Sequence, residues 1–430
     1  MDDAGASLQA QMSEMGRGAR AAAVALRLSD AATRTAAIAA MAAAVRAAGA
    51  DILAANARDV AAAKAAGLSA PMLDRLVLDD ARLEAIAKAL DTIAAIPDPL
   101  GSGKLGAEIG RWNRPNGLNI ARVRTPIGVI GIIYESRPNV TADAAALCIR
   151  AGNAVILRGG SECLATNLAI HAAVVQGLSK SGLPETSVQV VRTPDRAAVG
   201  LMLTGLDGAL DLIIPRGGKS LVARVRDEAR GVAVLGHLEG LVHVYLDKAA
   251  DLEKARAIAV NAKLRRVSVC GAAETLLVDS ADAQRLLPPV AQALSDAGCE
   301  LRGDARARSL VPGMAEATED DWRTEYLAPI LAVAVVDGVE GAAAHIATYG
   351  SAHTDAIVTE DAATAERFAA LVDSAIVLIN ASTQFADGGE FGFGAEIGIA
   401  TDRLHARGPV GAEQLTTYKY VVRGTGQTRP

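Results

Sequence analysis

The chain is short of aromatic rings: Phe, Trp and Tyr together make up 3% of its 430 residues. So few rings leave the core to aliphatic side chains, and alanine fills much of that role. Cysteine is scarce as well, at four residues, Cys148, Cys163, Cys270 and Cys299. None forms a C-x-x-C pair or a metal-ligand spacing, so reduced thiols in the cytoplasm are expected, and no metal centre. There is no excess of positive charge: the net charge is −6 and the pI lies near 5.6. Nucleic acid and anionic membrane are therefore poor candidates for the main partner, while local basic clusters still suit a small anionic ligand. No apolar run reaches the ~20 residues that span a bilayer; the alanine-rich stretch 36–45 is closed off by Arg34 and Arg46. The acidic start, Met1-Asp2-Asp3, lacks the basic region of a signal peptide.

What is present reads as a globular α/β chain of two large domains or three smaller parts, 51% apolar and 21% charged. Residues 1–96 have helical periodicity, with Asp30 and Asp79 as N-caps, and Pro97 and Pro99 close the region. Residues 101–117 look like loop or ribbon. Strands are then expected over 126–133, 154–157, 188–191 and 210–214, with helices over 142–151, 165–178 and 196–204. Fully apolar strands alternating with helices indicate a parallel sheet covered on both faces, the architecture of a nucleotide-binding domain. A second α/β unit follows a boundary between Gly231 and Gly240: helix 251–264, strand 274–278, helix 283–297 and strand 330–336. The tail 415–423 reads as a β-ribbon.

Two strand-end loops carry a basic residue and paired glycines, Arg158-Gly159-Gly160 and Arg216-Gly217-Gly218. Glycines let the backbone approach a ligand, and an Arg beside a helix N-terminus favours anions such as a pyrophosphate or 2′-phosphate. Neither loop is G-x-G-x-x-G or Walker A. A tight turn that needs glycine for geometry alone is the better reading of either loop by itself; two in consecutive units favour a ligand. Arg158 stands where many NAD-specific folds place an acid for the ribose hydroxyl, which favours NADP, and Glu162 nearby works against that preference.

Cys270 sits at the expected turn between helix and strand, after Lys263, Arg265 and Arg266 and before Gly271. A thiol near cations or a helix end forms thiolate readily and attacks carbonyl carbon. A buried structural cysteine is the alternative.

Five segments carry a resemblance. They are Pro126 to Val140, with Tyr134-Glu135-Ser136-Arg137-Pro138-Asn139; Gly152 to Gly160; the stretch around Cys270; Thr348 to Glu360; and Asn380 to Gly398. Together they identify the chain as similar to the gamma-glutamyl phosphate reductase (glutamate-5-semialdehyde dehydrogenase) family, a branch of the aldehyde dehydrogenase superfamily. The resemblance implies an aldehyde dehydrogenase-like fold, with two α/β domains on parallel-type sheets and a β-ribbon oligomerisation element. Residues 1–106 and 126–236 would form the NADP-binding domain, 237–408 the catalytic domain, and 107–125 with 409–430 the ribbon and tail. It implies NADP(H), a homo-oligomer, a small-molecule substrate (gamma-glutamyl phosphate), the second step of proline biosynthesis and functional coupling to glutamate 5-kinase. Carried over by motif, Cys270 is the nucleophile, Asn139 an oxyanion donor, and Glu325 the glutamate that holds the nicotinamide ribose. A solvated carboxylate following Glu319, Asp320 and Asp321 is the alternative for Glu325. The chain departs from the family at Leu264, Val267, Gly271 and Leu241, where Thr, Pro, Asn and Asn or Ile are usual.

The implied reaction is attack of Cys270 on the acyl phosphate, loss of phosphate, and hydride delivery to the thioester. A hydrolytic aldehyde dehydrogenase is the nearest rival. It needs a water-activating Glu, and that place is held here by His237, with Glu239 displaced by two. A non-enzymatic metabolite-binding scaffold is the rival from another class.

Overall fold

The computed structural model describes residues 3–102 and 105–429. Met1 and Asp2 of the acidic start, Gly103 and Lys104 of the expected loop, and Pro430 of the tail lie outside the described residues. The architecture is α/β, with two parallel sheets, a three-stranded antiparallel sheet and a two-stranded antiparallel pair, Ile399–Ala400 with Gly408–Pro409. The chain divides into two compact units, Met1–Gly236 with Gly392–Gly398 and Val410–Pro430, and His237–Phe391 with Ile399–Pro409.

The first unit opens with five helices, Asp3–Leu28, Ala31–Ala47, Gly49–Ala65, Ala70–Leu76 and Asp80–Ala95. Asp30 and Asp79 accept the N–H of Thr33 and Arg82, both at 2.7 Å, satisfying donors that a helix start leaves orphaned. The alanine bias has a packing reason. Helix Ala31–Ala47 lies against helix Leu164–Lys180 so closely that a Cβ on Gly177 would sit 2.5 Å from Met41 N. Buried Arg34 donates to Asp98 Oδ2 from Nε (3.0 Å) and Nη2 (2.9 Å), tying the second helix to the Pro97–Pro99 turn.

The sheet of this unit runs Val188–Val190, Ala154–Arg158, Val129–Tyr134, Leu212–Arg216, Ala233–Val234, with every pair parallel. The two strands Val129–Tyr134 and Ala154–Arg158 are buried at every position, which is why they read as unbroken apolar runs. The strand after the ribbon begins at Val129 because Asn119–Pro126 belongs to the ribbon and Gly128 turns the chain at φ +135. The next helix begins at Asn139, three residues before the expected 142, because Pro138 already holds φ −56. Chain order reverses between Val129–Tyr134 and Leu212–Arg216, so their carboxyl ends form the switch point where doubly wound sheets bind ligands.

Strands Glu108–Asn113, Asn119–Pro126 and Thr416–Arg423 make the antiparallel ribbon, with Trp112, Tyr418, Tyr420 and Val422 exposed on it. The second unit is a seven-stranded parallel sheet in the order Ala315–Glu316, Glu300–Gly303, Ile330–Val336, Ala273–Asp279, Val242–Leu246, Thr354–Val358, Ile376–Ile379. Among the described residues no single helix is long and apolar enough to cross a membrane.

Candidate active site

Cys270 lies in the turn between helix Leu252–Leu264 and strand Ala273–Asp279, and is half-buried, whereas Cys148, Cys163 and Cys299 are buried. Burial pushes the Cys163 thiol up to about 12 and the Cys299 thiol to about 11, and that of Cys148 higher still. Those three are unreactive at neutral pH.

Two imidazoles meet the Cys270 thiol. One ligating atom of each of His237 and His353 lies within 4.8 Å of Sγ and of the other. The grouping follows from topology. His237 precedes strand Val242–Leu246, Cys270 precedes Ala273–Asp279, and His353 precedes Thr354–Val358, and these three strands are neighbours in one parallel sheet. The corner is therefore built at amino ends of strands. His237 Nδ1 donates to Ile399 O at 2.7 Å, which leaves the lone pair on Nε2. His353 is wholly buried, its Nδ1 lies 2.9 Å from Thr354 Oγ1, and its Nε2 has no partner. Burial, and then the charge of His237, pushes His353 down to about 3, so it stays neutral.

The thiol loop is held on three sides. A Cβ on Gly240 would sit 2.0 Å from Cys270 O, so only glycine allows this approach. Gly240 N donates to Glu325 Oε1 at 3.0 Å, which brings Glu325 beside the thiol's turn. Gln384 Nε2 donates to Ala262 O at 2.8 Å and to Arg266 O at 3.4 Å, closing the carbonyl end of the preceding helix. His353 and Gln384 fall inside segments that carried the family resemblance, yet no spacing in the sequence gave either a role.

The expected electrostatics of the thiol need correction. The helix that precedes Cys270 in the chain, Leu252–Leu264, leads towards it with its carboxyl end, so it does not offer the thiol the helix N-terminus that would favour a thiolate. Nor is Lys263 a surface or substrate-facing cation: it is fully buried with its Nζ 2.5 Å from Glu274 Oε2, while Arg265 and Arg266 are exposed. Among the described residues, His237 and His353 are imidazoles within reach of the sulfur that could accept its proton.

In the first unit, both glycine loops stand at carboxyl ends of strands. Gly218 N donates to Glu135 Oε2 at 2.9 Å, and Ser136 donates to Glu162 Oε1 from N (2.7 Å) and Oγ (2.6 Å). A Cβ on Gly217 would lie 2.6 Å from Glu135 Oε2, on Gly160 2.0 Å from Glu162 Oε1, and on Gly159 2.1 Å from Asn167 Nδ2. Much of the space these glycines leave is thus filled by the protein's own side chains. Arg158 is buried and donates to Gly159 O (2.6 Å) and Pro194 O (3.0 Å); its Nε has no partner. Asn139, exposed on the first turn of its helix, donates to Asp143 Oδ2 at 2.9 Å. A nicotinamide dinucleotide fits these residues: the switch point, two Arg-Gly-Gly loops, the Gly218 amide opening helix Lys219–Glu228, and an orphan guanidinium N–H.

Comparison with known proteins agrees over nearly the whole chain. The model of the aldehyde dehydrogenase family matches residues 3–302. A gamma-glutamyl phosphate reductase of Caulobacter vibrioides is 71% identical over 419 residues, which is 97% of this chain and 100% of that protein. The crystal structure of gamma-glutamyl phosphate reductase from Thermotoga maritima is 44% identical, with a TM-score of 0.93, covering 97% of this chain and 100% of that one. An acetylating aldehyde dehydrogenase from Geobacillus thermoglucosidasius shares the fold, at 18% identity and a TM-score of 0.69 over 100% of both chains.

Proposed function

The chain belongs to the aldehyde dehydrogenase family and, within it, to the gamma-glutamyl phosphate reductases, and from that membership we propose the reaction and the residues that perform it. The protein reduces L-glutamate 5-phosphate to L-glutamate 5-semialdehyde with release of inorganic phosphate, the second step of proline biosynthesis from glutamate. The observation that carries the residue assignment is a half-buried thiol with two imidazole nitrogens within 4.8 Å.

His237 Nε2 takes the proton of Cys270, and the resulting thiolate attacks the acyl carbon. The carbon–oxygen bond to phosphate breaks, phosphate leaves, and a thioester on Cys270 remains. When bound, the nicotinamide cofactor supplies the hydride that reduces that thioester. Collapse of the thiohemiacetal breaks the C–S bond and returns the sulfur to its thiolate. Backbone N–H groups of the Cys270 turn and the Asn139 amide act on each oxyanion; for Asn139 this means exchanging its bond to Asp143. Arg158, Gly159, Gly160, Arg216, Gly217 and Gly218 hold the cofactor, with Arg158 selecting NADP(H) over NAD(H), and Glu325 takes the nicotinamide ribose. Residues 1–106 and 126–236 serve cofactor binding and 237–408 the thiol chemistry. The exposed rings of the ribbon join copies into a homo-oligomer. The protein works in the cytoplasm, where its thiols stay reduced. Coupling to glutamate 5-kinase would shorten the time its acyl phosphate spends in water.

The test runs the reaction backwards with pyrroline-5-carboxylate and NADP. Without inorganic phosphate the acyl-enzyme forms once, giving one NADPH per active site and then a near-zero slope. Phosphate or arsenate restores turnover. Steady NADPH production in phosphate-free buffer, stopped by Glu239→Gln, would instead identify a hydrolytic aldehyde dehydrogenase.

A further inference from the structure

The reductase chemistry gives work to Cys270 and His237 and none to His353. Yet His353 is wholly buried with an Nε2 that no protein group satisfies, and one of its ring nitrogens lies within 4.8 Å of the thiol and of a second imidazole. The rings of His237 and His353 stand edge to face with centroids 5.0 Å apart. Each has Nδ1 engaged outside the cluster, on Ile399 O at 2.7 Å and on Thr354 Oγ1 at 2.9 Å. With those Nδ1–H groups donating, each Nε2 keeps its lone pair, and an anchored second ring nitrogen is what metal-binding histidines characteristically have.

We propose that Cys270, His237 and His353 bind a thiophilic divalent cation, Zn²⁺, which masks the thiol reversibly when acyl phosphate is absent. The inference rests on Cys270 being the nucleophile only for the word "masks"; the binding stands by itself. The donor set is one thiolate and two neutral imidazoles, which selects zinc and disfavours Mg²⁺ and Ca²⁺. Bonds of about 2.3 Å to sulfur and about 2.0–2.1 Å to nitrogen in a tetrahedron put ligand atoms about 3.3–3.6 Å apart. A spread within 4.8 Å therefore closes by roughly 1 Å, through rotation of the Cys270 side chain in its turn and a small shift of the His237 ring. Three protein ligands leave a fourth position for water or a phosphate oxygen. Binding releases the thiol proton to solvent, so affinity rises with pH. The three ligands are far apart in sequence, which is why cysteine spacing shows no metal site.

Co²⁺ is the probe, titrated anaerobically into the full chain without substrate and followed by absorption. The expected result is one equivalent bound, with a thiolate-to-cobalt charge-transfer band and intense tetrahedral d–d bands, both erased by Zn²⁺. Cys270→Ser should lose the charge-transfer band. His353→Asn and Thr354→Val should each weaken binding by roughly tenfold or more, with circular dichroism checking that they fold. Should His353→Asn not fold, wild type and Cys270→Ser still decide. Absence of the charge-transfer band at one equivalent, or unchanged affinity in a folded His353→Asn, overturns the site. Turnover assayed beside the spectra separates the two readings. Cobalt binding in a protein without reductase activity sinks only the reductase, and reductase activity without cobalt binding sinks only the metal site.

Discussion

The two parallel sheets put opposite ends of their strands to use. In the first unit the glycine loops stand at carboxyl ends, where helices begin and N–H groups point outward. In the second, Cys270, His237 and His353 stand at amino ends, where helices finish and carbonyls point outward. The chemistry follows the backbone polarity. The carboxyl-end loops collect anions, and in this structure Glu135 and Glu162 accept from Gly218 and Ser136. The amino-end corner collects groups that carry a lone pair or a positive charge, and it leaves His353 Nε2 unsatisfied. One region is filled by its own carboxylates; the other gathers two imidazoles around a thiol.

The comparison breaks most visibly at the sulfur. Cys270→Ala should lower turnover by more than about 10⁴-fold while melting temperature and NADPH binding stay close to wild type. Steady-state rates within tenfold of wild type would remove Cys270 from the chemistry. Next comes the loop that places it. Gly240→Ala drives a Cβ into Cys270 O, and a displacement of about 1 Å at a reacting group costs on the order of 10²-fold in rate. Kinetics and a thermal melt measured together would show both the rate loss and a drop in stability. A normal rate would mean that the turn accommodates the methyl group.

At the filled loops the effects are smaller. Arg158→Ala should weaken NADPH roughly tenfold to a hundredfold relative to NADH, the 1.5–3 kcal/mol of a charge-assisted hydrogen bond. Equal loss for both cofactors would show that the guanidinium only props Gly159 and Pro194. Glu135→Gln removes the charge that competes for the Gly218 amide, and NADPH affinity measured by fluorescence should rise a fewfold.

Acid sharpens the contrast through the second unit's histidines. Burial pushes His345 and His353 down from 6.5 to about 3, helped by His243 and His237 respectively. The unfolded chain takes up protons near pH 6.5 and the native one does not until about pH 3. Stability is therefore full above 6.5 and falls as pH drops through that window, by about 1.4 kcal/mol per pH unit for each imidazole. Asp143 and Glu274, which burial pushes up to about 6 and about 7, act in the opposite direction, so the readout is a difference: between pH 7.5 and 5, urea midpoints of His345→Asn should fall less, or rise more, than those of wild type.

Much of the frame was legible in sequence because it rests on local rules. Asp30 and Asp79 cap helices as their residue types suggest, and strand Ile330–Val336 falls where its apolar run lies. Strands Val242–Leu246 and Thr354–Val358 went unread, because His243, Asp355 and their neighbours interrupt the apolar pattern. Those polar groups are buried and paired to each other, His243 Nδ1 to Asp355 Oδ1 at 2.9 Å. The missed strands are the ones that carry His237 and His353 to the thiol. Cys270 could be singled out from its surroundings in the chain; its imidazole neighbours could not, since a parallel sheet brings together residues that no window spans. Lys263 shows the reverse error, a cation close in sequence that the fold turns inward to Glu274.

Burial of Cys148, Cys163 and Cys299 also has a use at the bench. Towards a bulky maleimide dye the folded chain should therefore label at Cys270 alone. Dye incorporated per chain would count thiols competent for catalysis in any preparation, so a specific activity could be stated per working site rather than per milligram. Substrate or metal bound at the corner beforehand should slow the labelling, so the rate of dye incorporation would report its occupancy.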